Sequence, residues 1–121
     1  MNILCLFLQL IIAVGLFNVW LFRASKSTPY RGGSAKSMRE EFVVYGLPAI
    51  VMYVVGALKV FIALSMIAGI WLPVLVQPAA AVLTLLMLGA FTMHLKVKDP
   101  LVKSIPSLLM LGMAIAIFIL I

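Results

Sequence analysis

Few side chains in this 121-residue sequence can do chemistry, and most of those stand in apolar surroundings. Lys59 is flanked by Leu58, Val60 and Phe61 and is the only charge between Phe42 and Val76. An ammonium there can anchor an anionic or carbonyl-bearing ligand, or take part in a proton-linked step. It can equally be a structural donor to backbone carbonyls, to Gln9 or to a Tyr hydroxyl. Lys59, Tyr53, His94 and Gln9 are the ligand-binding candidates. His94 is the only histidine, and Glu40 and Glu41 can approach it from another segment. A metal site needs three or four converging ligands, so none is expected; a His bonded to a helix end or to a Glu is the plainer reading. Glu40, Glu41 and Asn18 make a candidate interfacial polar cluster, and the two acids also suit the first turn of a helix.

Several reaction classes are excluded. Cys5 is the only cysteine, so neither an internal disulfide nor a Cys-x-x-Cys pair exists. No Gly-rich phosphate loop and no Ser-His-Asp set occurs, and catalysis by the chain alone is not expected. The eight methionines are scattered and suit irregular packing better than a cofactor box. The net charge of +6 lacks the aromatic interleaving of a nucleic-acid surface, so no nucleic-acid partner is expected.

These residues are carried by a chain that is 66% hydrophobic and 10% charged, far from a soluble balance. Whole stretches of about twenty residues lack charge on every face, as bilayer spans do. The fold expected is all-α: one membrane domain over 1–121, a four-helix bundle with spans over 3–22, 48–68, 74–95 and 103–121. The first span has no basic leader and no small-x-small cleavage site, and reads as a retained helix. A basic connection over 23–47 joins the first two spans. Its Pro29-Tyr30-Arg31-Gly32-Gly33 run reads as a turn or loop, and Ser37-Met38-Arg39-Glu40 fits a capping box opening a short interfacial helix. No internal repeat or low-complexity tract is evident.

The turn between the second and third spans belongs at Gly69-Ile70-Trp71-Leu72-Pro73, where Gly, Pro and an interfacial Trp cluster. That choice places Lys59 near mid-membrane. A central Lys opposes insertion by about 2.5–3.5 kcal/mol, which the flanking Leu, Ile, Val and Phe residues offset at roughly 0.3–0.6 each. Some ten residues from either end, roughly 15 Å, exceeds the reach of snorkelling, so the ammonium should face the bundle interior. Gly56 and Ala63 share its face and would let a neighbouring helix approach closely.

Two segments carry a resemblance. Tyr53-Val54-Val55-Gly56-Ala57-Leu58-Lys59 is a helix pattern; Gly89-Ala90-Phe91-Thr92-Met93-His94-Leu95, ending in Asp99-Pro100 and followed by Ser104-Ile105-Pro106, is more specific. With Tyr30-Arg31-Gly32-Gly33 and Glu41-Phe42-Val43-Val44-Tyr45-Gly46-Leu47-Pro48, the chain resembles the DoxX-like family of small four-helix membrane proteins over about residues 10 to 115. Some members of that family resemble the small membrane subunit of thiosulfate:quinone oxidoreductase, some accompany oxidative-stress enzymes, and a distant animal branch resembles an assembly chaperone for nicotinic receptors. Relatives often carry an acid at the position of Lys59, from which this chain departs.

The resemblance implies an accessory subunit of a quinone- or redox-associated membrane complex, with Lys59, Tyr53 and His94 bordering a pocket. No cofactor is required by the sequence, and a bound quinone or lipid is the candidate. Membrane lipids, other membrane or redox proteins and further copies of the chain are the partners to consider. The alternative is a scaffold or assembly chaperone packing through Gly56, Gly89 and Gly112. A proton-coupled multidrug exporter is disfavoured, because the first span holds only Gln9 and Asn18 where an acid is needed.

Eight of the nine basic residues fall in two connections: Arg23, Lys26, Arg31, Lys36 and Arg39 in one, Lys96, Lys98 and Lys103 in the other. The positive-inside rule then makes both connections cytoplasmic and both termini external, in a membrane read as the bacterial inner membrane. Reporter fusions should find both termini outside and the 23–47 connection inside; a cytoplasmic C-terminus would overturn this orientation.

Overall fold

Each of the four apolar stretches meets the length and hydropathy of a bilayer span, and each is helical. The computed structural model describes residues 3–22, with Phe22 by its backbone only, and 30–121. Arg23, Lys26 and Pro29, assigned by the sequence to the basic connection, lie outside the described residues. Helix α1 (Ile3–Phe17) continues into a π-helical turn, Asn18–Phe22. Helix α2 (Met38–Val44) is short, α3 (Ala49–Ala68) and α4 (Val76–Lys96) are long, and α5 (Ile105–Leu120) ends the bundle. Short 3-10 turns, Pro73–Leu75 and Leu101–Ser104, lead into α4 and α5. No strand occurs among the described residues.

Local chemistry sets these boundaries. Ser37 caps α2 by accepting a hydrogen bond from the Glu40 N–H at 3.2 Å, one half of the capping box. The Ser37 hydroxyl donates in turn to the Glu40 carboxylate, so the reciprocal bond to the backbone is replaced by a side-chain one. Pro48 sits just before α3, where its missing N–H costs nothing. The turn after α3 falls at Gly69 to Leu72, leaving Lys59 ten residues from Ala49 and nine from Ala68.

Successive long helices are neighbours, α1 on α3, α3 on α4 and α4 on α5, and α5 closes the ring against α1. The half of the bundle away from the basic connections is tightly filled. Each span contributes one alanine that is at most 1% exposed: Ala13, Ala63, Ala80 and Ala114. Small side chains let helix backbones approach closely, and in lipid that dispersion contact is a main source of association. Ile12, Met66, Leu83 and Ile117 fill the remaining space. Towards the basic end the helices part around a cavity.

Gly56 has a particular job in this packing. A Cβ added there would stand 2.8 Å from the six-membered ring of Trp20, which fills the notch that the glycine leaves. Gly56→Val should therefore lower stability in detergent by about 1–3 kcal/mol through overpacking. Gly112→Ala, where a Cβ meets nothing within 4 Å, should stay within about 0.5 kcal/mol of wild type. Thermal unfolding followed by circular dichroism compares the two, and equal losses would contradict the packing.

Candidate functional site

The cavity encloses about 630 Å³ at the basic end of the bundle, and every long helix and α2 contribute to its wall. Most of that wall is apolar. Five of the eight methionines, Met38, Met87, Met93, Met110 and Met113, line it. The sequence reading of scattered packing residues misses this convergence, because the helices that bring them together are distant in sequence. Flexible thioether side chains make a wall able to repack around a guest.

Lys59 lines the cavity from α3. Its Nζ lies 5.2 Å from the centroid of the Trp20 ring, over the π face. Among the described residues it bonds to none of the structural partners the sequence offers, a backbone carbonyl, Gln9 or a Tyr hydroxyl. Gln9 Nε2 instead donates to the Met66 carbonyl at 2.9 Å, satisfying one of the last carbonyls of α3 in the packed half. Tyr53 is 57% exposed on the outer face of α3, where its hydroxyl accepts from Arg39 at 3.3 Å. The π-helical turn supplies Trp20: its extra residue shifts the register of the helix end, a local distortion often found at functional sites. Asn18, on the same turn, also lines the cavity.

An aromatic row runs from Lys59's partner to His94. Trp20 and Phe42 meet edge to face at 6.4 Å between centroids, Phe42 and Tyr45 at 6.2 Å, and Tyr45 and His94 at 5.9 Å. A hydrogen-bonded chain crosses it. Arg31 Nη1 donates to Glu41 Oε2 at 3.1 Å, and the Tyr45 hydroxyl donates to Glu41 Oε1 at 2.6 Å. His94 Nε2 lies 3.5 Å from that hydroxyl, while its Nδ1 is 2.7 Å from Asp99 Oδ2. A carboxylate only accepts, so Nδ1 carries a hydrogen; this fixes the tautomer and aims Nε2 at Tyr45.

The end of α4 builds the His94–Asp99 pair directly. Asp99 N donates to His94 O and Lys98 N to Leu95 O, the two bonds of a Schellman motif, with Lys98 in the left-handed region at φ 58°. The hydrophobic contact that usually closes such a motif is replaced by the carboxylate and the imidazole. Asp99 Oδ1 in turn accepts from the Gly33 N–H at 3.0 Å, and Lys103 Nζ donates to the Gly33 carbonyl. Gly33 has φ +54°, and a Cβ on Gly32 would collide with the Tyr45 ring, so the loop can lie here only because both residues lack side chains. Lys96 Nζ closes the arrangement by donating to the Tyr45 carbonyl at the end of α2, at 2.9 Å.

Of the sequence candidates, Lys59, His94, Glu41 and Asn18 line one cavity. Tyr53 lies on an outer groove, Gln9 in the packed half, and Glu40 on the surface beside Ser37. No group of three or more potential ligands for a metal occurs among the described residues. Arg31, Tyr45, Asp99 and Trp20 are further members of this arrangement that residue type alone does not single out. Glu41 and Tyr45 were legible as an i, i+4 pair on one helix face, and Asp99 as the acid just past the His94 helix end.

Electrostatics follow from this wiring. Burial, then the hydrogen bond to Glu41 and the charges of Glu41 and Asp99, push the Tyr45 hydroxyl above its ordinary value and keep it a donor. Burial alone would raise the Asp99 carboxyl, but the bonds from His94 and Gly33 and the charge of Lys103 outweigh it and hold it below the usual carboxylate range.

Four lipid-length helices around a cavity with a buried polar chain at one end define a small integral membrane protein. The family model of the DoxX-like family matches residues 12–118, and the chain belongs to that family. No curated protein and no solved structure matches it.

A carboxylate whose folded-state pKa lies below its unfolded value contributes stability that is present above the unfolded value, about 3.9, and is lost as pH falls through the folded one. Wild type should therefore lose thermal stability in detergent on acidification below about pH 4. Asp99→Ala, leaving the Gly33 and His94 donors unpaired, should already be about 1–3 kcal/mol less stable at pH 7 and lose less on acidification. Parallel acid profiles for the two proteins would show that Asp99 is not the coupled group.

Proposed function

We propose that the chain is an accessory subunit of a quinone- or redox-associated complex in a bacterial inner membrane, its cavity receiving the carbonyl head of a quinone. The observation that carries this is an excess of donors. Lys59 Nζ has the face of Trp20 as its partner and no hydrogen-bond acceptor among the described residues, and buried Trp20 Nε1 has no acceptor either. Both residues line one mostly apolar cavity. A cation–π contact is worth about 0.5–2 kcal/mol, less than the roughly 2.5–3.5 that a central lysine costs. A guest oxygen would make up the difference, and an apolar ring and tail would suit the methionine-rich wall.

In this reading the chain binds and orients, and electron transfer belongs to a partner protein. The two basic connections face the cytoplasm, where the His94–Asp99 end of the cavity is closest to water. The scaffold reading has less to build on. The notch at Gly56 is occupied by Trp20 of the same chain, leaving Gly89 on α4 and Gly112 on α5 as open positions.

Quinone binding can be read from quenching of tryptophan fluorescence in nanodiscs, with a short-chain quinone as titrant. Saturable quenching is expected in wild type. Lys59→Met, which removes a charge-assisted donor, should weaken the apparent affinity about ten- to a hundredfold. Non-saturable quenching, or equal affinity in the variant, would sink the proposal.

A further inference from the structure

A second concavity lies outside the bundle. A groove of about 740 Å³ runs down the lipid-facing side of α3, with Trp20, Gly56, Ala57, Val60, Phe61 and Leu64 along it. Its polar residues are confined to one end, where Ser37, Arg39 and Tyr53 stand beside the basic connection. From Tyr53 to Leu64 the helix rises roughly 16 Å, about half of a 30 Å hydrocarbon core. The groove thus has a polar mouth at one face of the membrane and an apolar floor as deep as one leaflet. We infer that it holds one anionic glycerophospholipid, with the phosphate on Arg39 and Tyr53 and an acyl chain laid along α3.

Charge argues for the phosphate. The chain has three acids, and each is engaged away from Arg39: Glu40 with Ser37, Glu41 with Arg31 and Tyr45, Asp99 with His94. Arg39 donates to the Tyr53 hydroxyl and forms no ion pair among the described residues. Because that hydroxyl accepts from Arg39, its own hydrogen remains available. A guanidinium fork and a phenol hydrogen therefore converge on one exposed point, the donor set that suits a phosphate monoanion. Eight of nine basic residues lie in the connections at this end, which favours a headgroup without a compensating ammonium.

Shape argues for the chain. Ala57 carries almost no side chain, so the groove is open where an acyl chain would enter, and Trp20, seated on Gly56, forms its floor. The same indole and Met38 also belong to the wall of the inner cavity, so groove and cavity are separate sites divided by these two side chains.

Native mass spectrometry of the whole protein, released from nanodiscs of phosphatidylglycerol or of phosphatidylcholine with the same acyl chains, tests this. One phosphatidylglycerol per chain should be retained, and phosphatidylcholine about fivefold less. Arg39→Gln should reduce phosphatidylglycerol retention about tenfold. Ala57→Phe, which fills the groove with Arg39 intact, should abolish it. Lys98→Gln removes the same charge at the same end outside the groove and should retain the lipid. Equal retention of the two lipids, or equal loss in the Lys98 and Arg39 variants, would overturn the site. So would full retention by the Ala57 variant, or a lipid-free dimer closed over α3.

Discussion

In hydrocarbon a polar group can bond only to the protein around it, and this constraint organises the basic end of the molecule. Two helices, α2 and α4, finish there in Schellman motifs, with Gly46 and Lys98 in the left-handed region. Their last carbonyls and the loop over 30–36 must all find partners close to the membrane surface. The Asp99 N–H answers for the His94 carbonyl at the end of α4 and its carboxylate for the Gly33 N–H; Lys96 answers for the end of α2; Lys103 holds the Gly33 carbonyl. Glu41 joins Arg31 to Tyr45 between them. The loop is thereby fastened across the helix ends, and beneath it the spans part far enough to leave a cavity.

That division of the bundle has a compositional cause. In the packed half, four alanines let the backbones close in and Gln9 satisfies a helix-end carbonyl of α3. In the open half the corresponding faces carry flexible methionines, Lys59 and aromatic rings, and a cavity remains between them. One bundle can therefore be rigid at one end and adaptable at the other without any break in its helices.

Much of the fold was legible in the sequence because span length and charge placement are one-dimensional signals. Gly69 to Pro73 fixed the turn, and with it the interior position of Lys59. Within the site, Lys59 and His94 stood out as ionisable residues in or at the edge of apolar segments. Their surroundings were less legible. Tyr53 belongs to the same helix as Lys59 but faces the other way, a matter of about 100° per residue that a list of polar side chains ignores. Trp20 stands near the end of the first apolar stretch, and the π-helical turn and the notch at Gly56 bring it inside. Asp99 looked like part of a turn, and only the left-handed conformation of Lys98 swings it back onto His94.

Trp20 connects the two halves of the functional argument. Its face carries the Lys59 cation, one edge meets Phe42 at the start of the row leading to His94, and its six-membered ring packs on Gly56 at the floor of the outer groove. With Met38, this ring is shared by the lining of the cavity and of the groove. On the reading proposed above, a guest oxygen at Lys59 would replace the π face with a stronger, charge-assisted bond. On that reading, the energetic weakness of the Lys59–Trp20 contact would let the site exchange one partner for another.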